Sequence, residues 1–177
     1  MAKLVIILSL LKKGVFWWAL FVPATGPFMY DQLNLPQAPL QIKETQGQPY
    51  VLDPIRKKYV ALTPEEWVRQ HFVHYLITEA NCARGLIQVE QAANYNRLQK
   101  RADILVFDRA GQPWMLVECK APYVKIGQEV FNQAAVYNKS KRAPYLVVTN
   151  GKVHYCCQVN HTTNETTFLE GLPRFMC

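Results

Sequence analysis

Two short apolar runs separated by a turn restrict the fold of this chain more than any other feature. Residues 102–107 (ADILVF) and 114–119 (WMLVEC) are apolar, and the polar segment between them contains Asp108 and Gly111. Runs of this length and composition predict β-strands, and the turn between them predicts a hairpin. The two strands are expected to lie in the core of the fold.

The segments around the hairpin predict further helices and strands. Thr63 can cap a helix that has Pro64 at its first position and Glu66 completing a capping box, and this helix should run to about residue 78. The remaining patterns predict a helix over 126–139, strands over 86–90, 145–149 and 153–159, and a short edge hairpin over 41–52. This order predicts an α/β fold, with a mixed β-sheet flanked by helices.

Three charged residues interrupt the apolar hairpin. Asp103 lies near the start of the first strand, and Glu118 and Lys120 lie two residues apart around the end of the second. Their spacing puts the last two side chains on one face, with Cα atoms about 7 Å apart, whereas Cys119 takes the opposite face. Antiparallel pairing places Asp103 near Glu118. Because an unpaired buried charge is costly, this group predicts a chemical function.

Carboxylate oxygens are the ligands that Mg²⁺ prefers, usually one or two of them with water in the remaining positions. A bound Mg²⁺ can lower the pKa of water and neutralise charge on a phosphate, and a neighbouring lysine can assist. The alternative is structural. Asp103 could pair with Arg101, and Glu118 with Lys120 could form an exposed pair that contributes under about 1 kcal/mol.

This order of residues resembles the signature of the PD-(D/E)xK nuclease superfamily, an Asp followed across a hairpin by Glu-x-Lys. Over about residues 50–160 the chain is similar to the N-terminal nuclease domain of type I restriction R subunits. The similarity lies in residues 62–70 (LTPEEWVRQ), 101–107 (RADILVF), 116–122 (LVECKAP), 133–138 (QAAVYN) and 149–151 (TNG). The resemblance implies a restriction-endonuclease-like core.

The resemblance also implies a role for individual residues. Asp103 and Glu118 would bind Mg²⁺ at the catalytic centre, and Lys120 would be the catalytic lysine. An earlier acid completes the metal site in that family, and Glu90 is expected to be this residue. Glu79 lies close enough in the sequence to compete with it.

A helical pair belongs to the same resemblance. Gln133 would be a further catalytic residue and Tyr137 its partner, and their spacing of four residues puts both on one helix face. Such residues are also common on ordinary helix surfaces. The chain departs from the family at Ala102, where the motif's name has Pro, a change that leaves the site in place. The translocase region that normally follows in that family is also absent, and this argues against a role in a restriction complex.

The resemblance predicts a Mg²⁺-dependent DNA endonuclease in the cytoplasm, with Mn²⁺ as an alternative ion. DNA would be its partner, together with other restriction–modification subunits. No nucleotide cofactor is expected, because the G-x-x-x-x-G-K-[ST] motif does not occur in the sequence. The alternative function is a non-catalytic DNA-binding or complex-forming module with the same fold.

The first 28 residues differ from the rest of the chain. They contain two apolar runs of eight residues, 4–11 and 15–22, separated by two lysines and a glycine. A joined membrane span would bury both lysines, at about 2.5–3.5 kcal/mol each, so such a span is disfavoured, although attachment to a membrane through residues 4–22 is a weaker alternative. A signal-like segment and a true start at Met29 are the other interpretations, and the latter is favoured. The expected divisions are 1–28 as an extension, 29–55 as an extended lead with an edge hairpin, 56–160 as the nuclease domain and 161–177 as a tail.

The net charge, the cysteines and the histidines give little further indication of function. The net charge is +7, but three lysines lie in the first 28 residues, which contain no acid, so the rest of the chain carries only +4. Five cysteines without a C-x-x-C motif do not predict a zinc site or a disulfide framework, and buried or incidental thiols in a reducing cytoplasm are expected. His71 and His74 share a helix face but lack a third ligand, so partly exposed histidines are expected.

Overall fold

Two β-sheets and two α-helices form in the computed structural model of the chain, which describes residues 31–89 and 103–175. A three-stranded antiparallel sheet contains β1 (Ile42–Thr45), β2 (Gln48–Asp53) and β3 (Lys58–Ala61). A six-stranded sheet contains, in spatial order, β4 (Ile87–Val89), β5 (Ile104–Phe107), β6 (Pro113–Cys119), β7 (Tyr145–Thr149), β8 (His154–Asn160) and β9 (Glu165–Leu169). Only β6 and β7 pair in parallel in this larger sheet. The predicted α/β class with a mixed sheet is confirmed.

Helix α1 (Pro64–Thr78) has the bounds that its capping residues predict. The Thr63 hydroxyl oxygen accepts a hydrogen bond from the Glu66 N–H at 3.1 Å, and Pro64 occupies the first position, where no intrahelical donor is needed. Two acidic residues lie in the first turn, which suits the positive end of the helix dipole. This end of α1 carries part of the candidate site.

The six-stranded sheet lies between α1 and α2 (Gln128–Lys141), because its residues alternate between two apolar clusters. Ile104 and Val117 pack in the cluster that contains Phe72 of α1, whereas Leu105 and Leu116 pack in the cluster that contains Ala134 of α2. The alternation is the period of two expected for strands buried on both faces. It also places Cys119 on the α1 face, as predicted.

Helix α2 connects the two parallel strands β6 and β7, so it runs back along the sheet. Its first turn therefore lies at the edge of the sheet where β6 ends, and its last turn lies at the opposite edge. The helix ends at Arg142, which adopts a left-handed conformation with φ +57°. This direction decides which residues of α2 can approach the charged end of the hairpin.

The N-terminal lead is fixed to the turn between β7 and β8. The Asn34 N–H donates to the Gly151 carbonyl oxygen at 2.7 Å, and Lys152 Nζ lies 2.6 Å from Asp31 Oδ2. Gly151 has φ +81°, and a Cβ atom there would lie 2.7 Å from a methyl group of Leu33. The backbone conformation therefore favours glycine, and a side chain at this position would also have to displace the Leu33 methyl groups.

Two strands were not predicted from the sequence. Strand β3 has only four residues, three of them exposed, and β9 is exposed at four of its five positions, so neither shows an apolar pattern. Strand β9 pairs with β8 and lies within the segment expected to be a C-terminal tail. The expected extension over 1–28 lies outside the described residues. Within the described ranges, neither helix has the length and hydropathy needed to cross a bilayer.

Candidate active site

Asp103 lies opposite Glu118 at the open end of the β5–β6 hairpin. The register pairs Ile104 with Val117, so the next positions outward are Asp103 and Glu118. Asp103 Oδ2 accepts a hydrogen bond from the Cys119 N–H at 2.6 Å. The hairpin therefore brings the two carboxylates together as its register predicts, and β6 holds the Asp103 carboxylate through a backbone bond.

Glu118 and Lys120 form an ion pair at the same edge. Lys120 Nζ lies 2.5 Å from Glu118 Oε1, and the two side chains are 23% and 19% exposed. The Lys120 N–H donates to the Thr149 carbonyl oxygen at 2.8 Å, which continues the bonding between β6 and β7. The pair is therefore more buried than the surface pair of the alternative interpretation.

The partner of Asp103 on α1 is Arg69, a residue that was not predicted from the sequence to be part of a site. Arg69 Nη2 pairs with Asp103 Oδ1 and also lies 3.1 Å from Glu65 Oε1, while Nη1 pairs with Glu66 Oε2. Arg101, the expected partner, lies outside the described residues. A single guanidinium group therefore connects the first turns of α1 to the start of β5.

Glu65 is a further acid at this edge, and it was interpreted from the sequence only as a residue of the helix start. Glu90, the expected earlier acid, lies outside the described residues. Glu79 follows the C-terminal end of α1, about 20 Å along the helix from Glu65. The spacing of four residues between Glu65 and Arg69 was the available sequence signal, because such positions lie on one helix face.

The carboxylates at this edge disfavour the ionised form of one another. Burial, followed by the charge of Asp103, raises the pKa of Glu118, although Lys120 opposes this shift. Burial and Asp103 likewise raise the pKa of Glu65, against the charges of Arg69 and Lys120. Burial lowers the pKa of Lys120, but Glu118, Glu65 and Asp103 outweigh it, so the pKa is raised.

The site therefore has more acidic than basic side chains, and its carboxylate oxygens are potential metal ligands. Negative charge favours an added cation, and carboxylate oxygen is the ligand type that Mg²⁺ prefers. In the part of the chain that the structure describes, no group of three or more His, Cys, Asp or Glu residues is arranged to hold a metal ion. The acids face two side-chain cations, Arg69 and Lys120.

A second set of ion pairs supports α1 from the small sheet. Arg56 Nη1 lies 3.5 Å from Glu66 Oε2, and Arg56 Nε lies 3.2 Å from Asp53 Oδ2. Gln70 Nε2 donates to Glu66 Oε1 at 2.8 Å. Glu66 is therefore an acceptor at the centre of a buried network, whereas its neighbour Glu65 is more exposed.

Gln133 and Tyr137 lie on α2, the helix that covers the face of the sheet on which Glu118 lies. Gln133 Nε2 donates to Glu129 Oε1 of the same helix at 3.4 Å, and the ring centroid of Tyr137 lies 5.7 Å from Lys141 Nζ. Gln133 is nearer than Tyr137 to the first turn of α2, which is the end beside the hairpin opening. Gln133 therefore lies on the helix that covers the face of Glu118, and its hydrogen bond is to Glu129 of that helix rather than to Asp103 or Glu118.

Lysine, histidine and cysteine side chains outside this group have other surroundings. Lys139 and Lys141 lie in the last turn of α2 at the opposite edge of the sheet. His71 is buried rather than partly exposed, and its Nδ1–H donates to the Trp67 carbonyl oxygen at 2.9 Å because the helix turns it toward its own backbone. The cysteines among the described residues are buried thiols, as expected: Cys82, Cys119, Cys156 and Cys157.

Comparisons with known proteins identify relatives of the chain. The model of the type I restriction enzyme R protein N terminus matches residues 64–173. A solved fragment described as an HsdR subunit of a type I restriction enzyme from Vibrio vulnificus YJ016 is 30% identical, with a TM-score of 0.33. That match covers 49% of this chain and 16% of the other, so the chain spans a small part of that relative. No curated protein matches the chain. Because the family model covers well over half of the sequence, the chain belongs to the family of type I restriction enzyme R protein N-terminal domains.

Proposed function

We propose that the chain is a Mg²⁺-dependent DNA endonuclease that hydrolyses phosphodiester bonds. The observation that carries the proposal is the meeting of Asp103, Glu118 and Lys120 at the open end of one hairpin. Two carboxylates and an ammonium group at one sheet edge provide oxygen ligands for a cation and a positive charge for a phosphate. Membership of the family supports DNA as the substrate.

Each residue has a proposed role. Asp103 and Glu118 hold the ion, and Glu65 is the third acid that the contacts support, because Arg69 joins it to Asp103. When bound, Mg²⁺ lowers the pKa of its water and neutralises charge that develops on the phosphate. Glu90 remains the sequence-based candidate for the third acid.

Lys120 acts as a cation beside the reacting phosphate. Its Nζ donates to Glu118, which fixes the ammonium group at the edge where the phosphate would bind. A preorganised positive charge stabilises the additional negative charge of the transition state. Gln133 has a supporting role from the adjacent helix, and other restriction subunits in the cytoplasm are the proposed protein partners.

Cleavage of DNA by the full chain tests the proposal. Cleavage should appear with Mg²⁺ or Mn²⁺ and disappear in EDTA, and Lys120→Ala should reduce the rate by about 100- to 1000-fold. Lys139→Ala is the matched control, because this lysine lies at the other end of α2 and should leave the rate unchanged. Equal cleavage by Lys120→Ala and the wild type would rule out the assigned site.

A second candidate function is DNA binding without cleavage. It is favoured by the contacts of Asp103, whose two carboxylate oxygens already accept from Arg69 and from the Cys119 N–H. Salt-dependent DNA binding in the absence of metal-dependent cleavage would select this function, because phosphate contacts release counterions.

A further inference from the structure

Arg69 occupies the position at which the acids of the candidate site converge. Its Nη2 contacts both Asp103 Oδ1 and Glu65 Oε1, and its side chain is only 10% exposed. Guanidinium groups hold carboxylates in fixed planar geometry. In this structure the two acids are therefore brought together by one internal cation.

The same oxygen atoms are those that a metal ion would need. Asp103 Oδ1 is paired with Arg69, and Oδ2 accepts from the backbone N–H of Cys119 at 2.6 Å. The Cys119 N–H belongs to strand β6 and cannot move away without disturbing the hairpin. The side chain of Arg69 is the partner of Asp103 that can be displaced.

Arg69 has a third acid that it can retain. Its Nη1 pairs with Glu66, which lies one turn earlier on the same helix and also accepts from Gln70 and pairs with Arg56. Movement of Nη2 away from Asp103 would therefore leave the guanidinium paired on its other side. A buried charge with such an alternative avoids most of the cost of breaking an ion pair.

We propose that Arg69 is a positioning residue that substitutes for the divalent cation, holding Asp103 and Glu65 together until the ion binds and releasing Asp103 when it does. This inference rests on the proposed function, since it concerns the metal ion at the same acids. Binding of the ion and pairing of Arg69 with Asp103 then oppose each other. Each must weaken the other by the same factor.

The proposal predicts the direction of a change in metal affinity. Arg69→Gln removes the competing charge, so the full chain should bind Mn²⁺ more tightly, on the order of tenfold, by isothermal titration calorimetry. A purely structural arginine predicts the opposite, because loss of the contacts would let the acids separate. Equal or weaker Mn²⁺ affinity in a folded Arg69→Gln variant overturns the proposal.

Arg56→Gln is the matched control. Arg56 is buried to the same extent and shares Glu66 with Arg69, but its other partner is Asp53, which lies outside the acids of the candidate site. Its Mn²⁺ affinity should remain within about twofold of the wild type, well below the coupling expected for Arg69. An equal gain in affinity in Arg56→Gln would show a general charge effect and would also overturn the proposal.

A measurement on the unaltered chain covers the case in which Arg69→Gln does not fold. By NMR with Mg²⁺, solvent exchange of the Arg69 Nη hydrogens should become faster on binding, while that of Arg56 stays unchanged. Unchanged exchange of Arg69 with Mg²⁺ bound would contradict the release of Asp103. If the wild-type chain binds neither Mg²⁺ nor Mn²⁺, the proposed function fails and this inference with it. If it binds the ion and cleaves DNA, only the role of Arg69 is in question.

Discussion

Arg69 and Asp103 form an ion pair between the second turn of α1 and the start of the β5–β6 hairpin, across 34 positions of sequence. The second carboxylate oxygen of Asp103 accepts the Cys119 N–H, so this one side chain joins α1, β5 and β6. Asp103 therefore has a structural role beside its proposed chemical one. Substitutions of Asp103 therefore have to be chosen so that loss of stability can be distinguished from loss of cleavage.

Replacement of Asp103 by alanine and by asparagine should have different effects on stability. Asp103→Ala leaves the Cys119 N–H and Arg69 without their acceptor and should lower the free energy of unfolding by about 3 kcal/mol. Asp103→Asn keeps one acceptor oxygen and should lose roughly half as much. Urea unfolding followed by circular dichroism measures both values. Asparagine is the appropriate substitution for cleavage assays, and equal stabilities of the two variants would argue against the structural role.

Substitutions of the neighbouring acids Glu65 and Glu66 should differ in their effects, with Glu65 affecting cleavage and Glu66 affecting stability. Glu65 is 43% exposed and contacts only Arg69 among the ion pairs described, so Glu65→Gln should cost under about 1 kcal/mol while reducing cleavage at least about tenfold. Glu66 is buried and paired with both Arg69 and Arg56, so Glu66→Gln should cost about 2–3 kcal/mol. Cleavage per folded molecule should be retained in Glu66→Gln. Thermal unfolding and cleavage rates of both variants test this prediction. Loss of cleavage in Glu66→Gln together with retained cleavage in Glu65→Gln would instead identify Glu66 as the functional acid.

Stability should decrease in mildly acidic solution because of His71. Burial lowers the pKa of His71 below its ordinary value of 6.5, so the folded chain holds this proton less tightly than the unfolded chain. The contribution of His71 to the free energy of unfolding is complete above pH 6.5 and is lost as the pH falls through the lowered pKa. His154, whose pKa is lowered by burial, changes stability in the same direction.

The His71 effect is measured as a difference between variant and wild type. Carboxylates with raised pKa, such as Glu118, act in the opposite sense, so the total slope mixes several groups. Urea unfolding at pH 7.5 and pH 5.5 should show a smaller loss of stability in His71→Gln than in the wild type. An identical loss in both proteins would exclude His71 as the cause.

The buried thiols should resist alkylation in the native chain. Burial raises the pKa of Cys156 to about 12 and that of Cys157 to about 11, and it raises the pKa of Cys119 well above its ordinary value. Because the thiolate is the reactive form, iodoacetamide at pH 8 should modify these residues only after unfolding in urea. Peptide mapping by mass spectrometry identifies the modified positions. Native labelling of Cys119 would contradict the packing of β6 against α1.

Local signals predicted much of this fold. The bounds of α1 follow from Thr63 and Pro64, because a cap acts within one helical turn. The approach of Asp103 to Glu118 follows from hairpin register, because the turn that joins the strands is short. Strands β3 and β9 lack apolar alternation and form because a neighbouring strand offers hydrogen bonds, which is information outside the segment itself.

The contacts of Arg69 could not be predicted from local patterns. Its spacing from Glu65 indicates an ordinary helix pair, and only packing of α1 against the hairpin brings Asp103 within reach. The position of the acid Glu65 was missed for the same reason. Contacts between separate elements depend on the relative placement of those elements, which periodicity within each one does not report.

The way the N-terminal lead is fixed has a consequence for cloning. The family match begins at residue 64, the first residue of α1, yet Leu33 covers Gly151 and Arg56 supplies a counter-charge to Glu66. A fragment trimmed to the matched region would lose both contacts and would leave Glu66 short of one cation. The contacts that stabilise the matched region therefore extend beyond it, and expression boundaries belong ahead of residue 31.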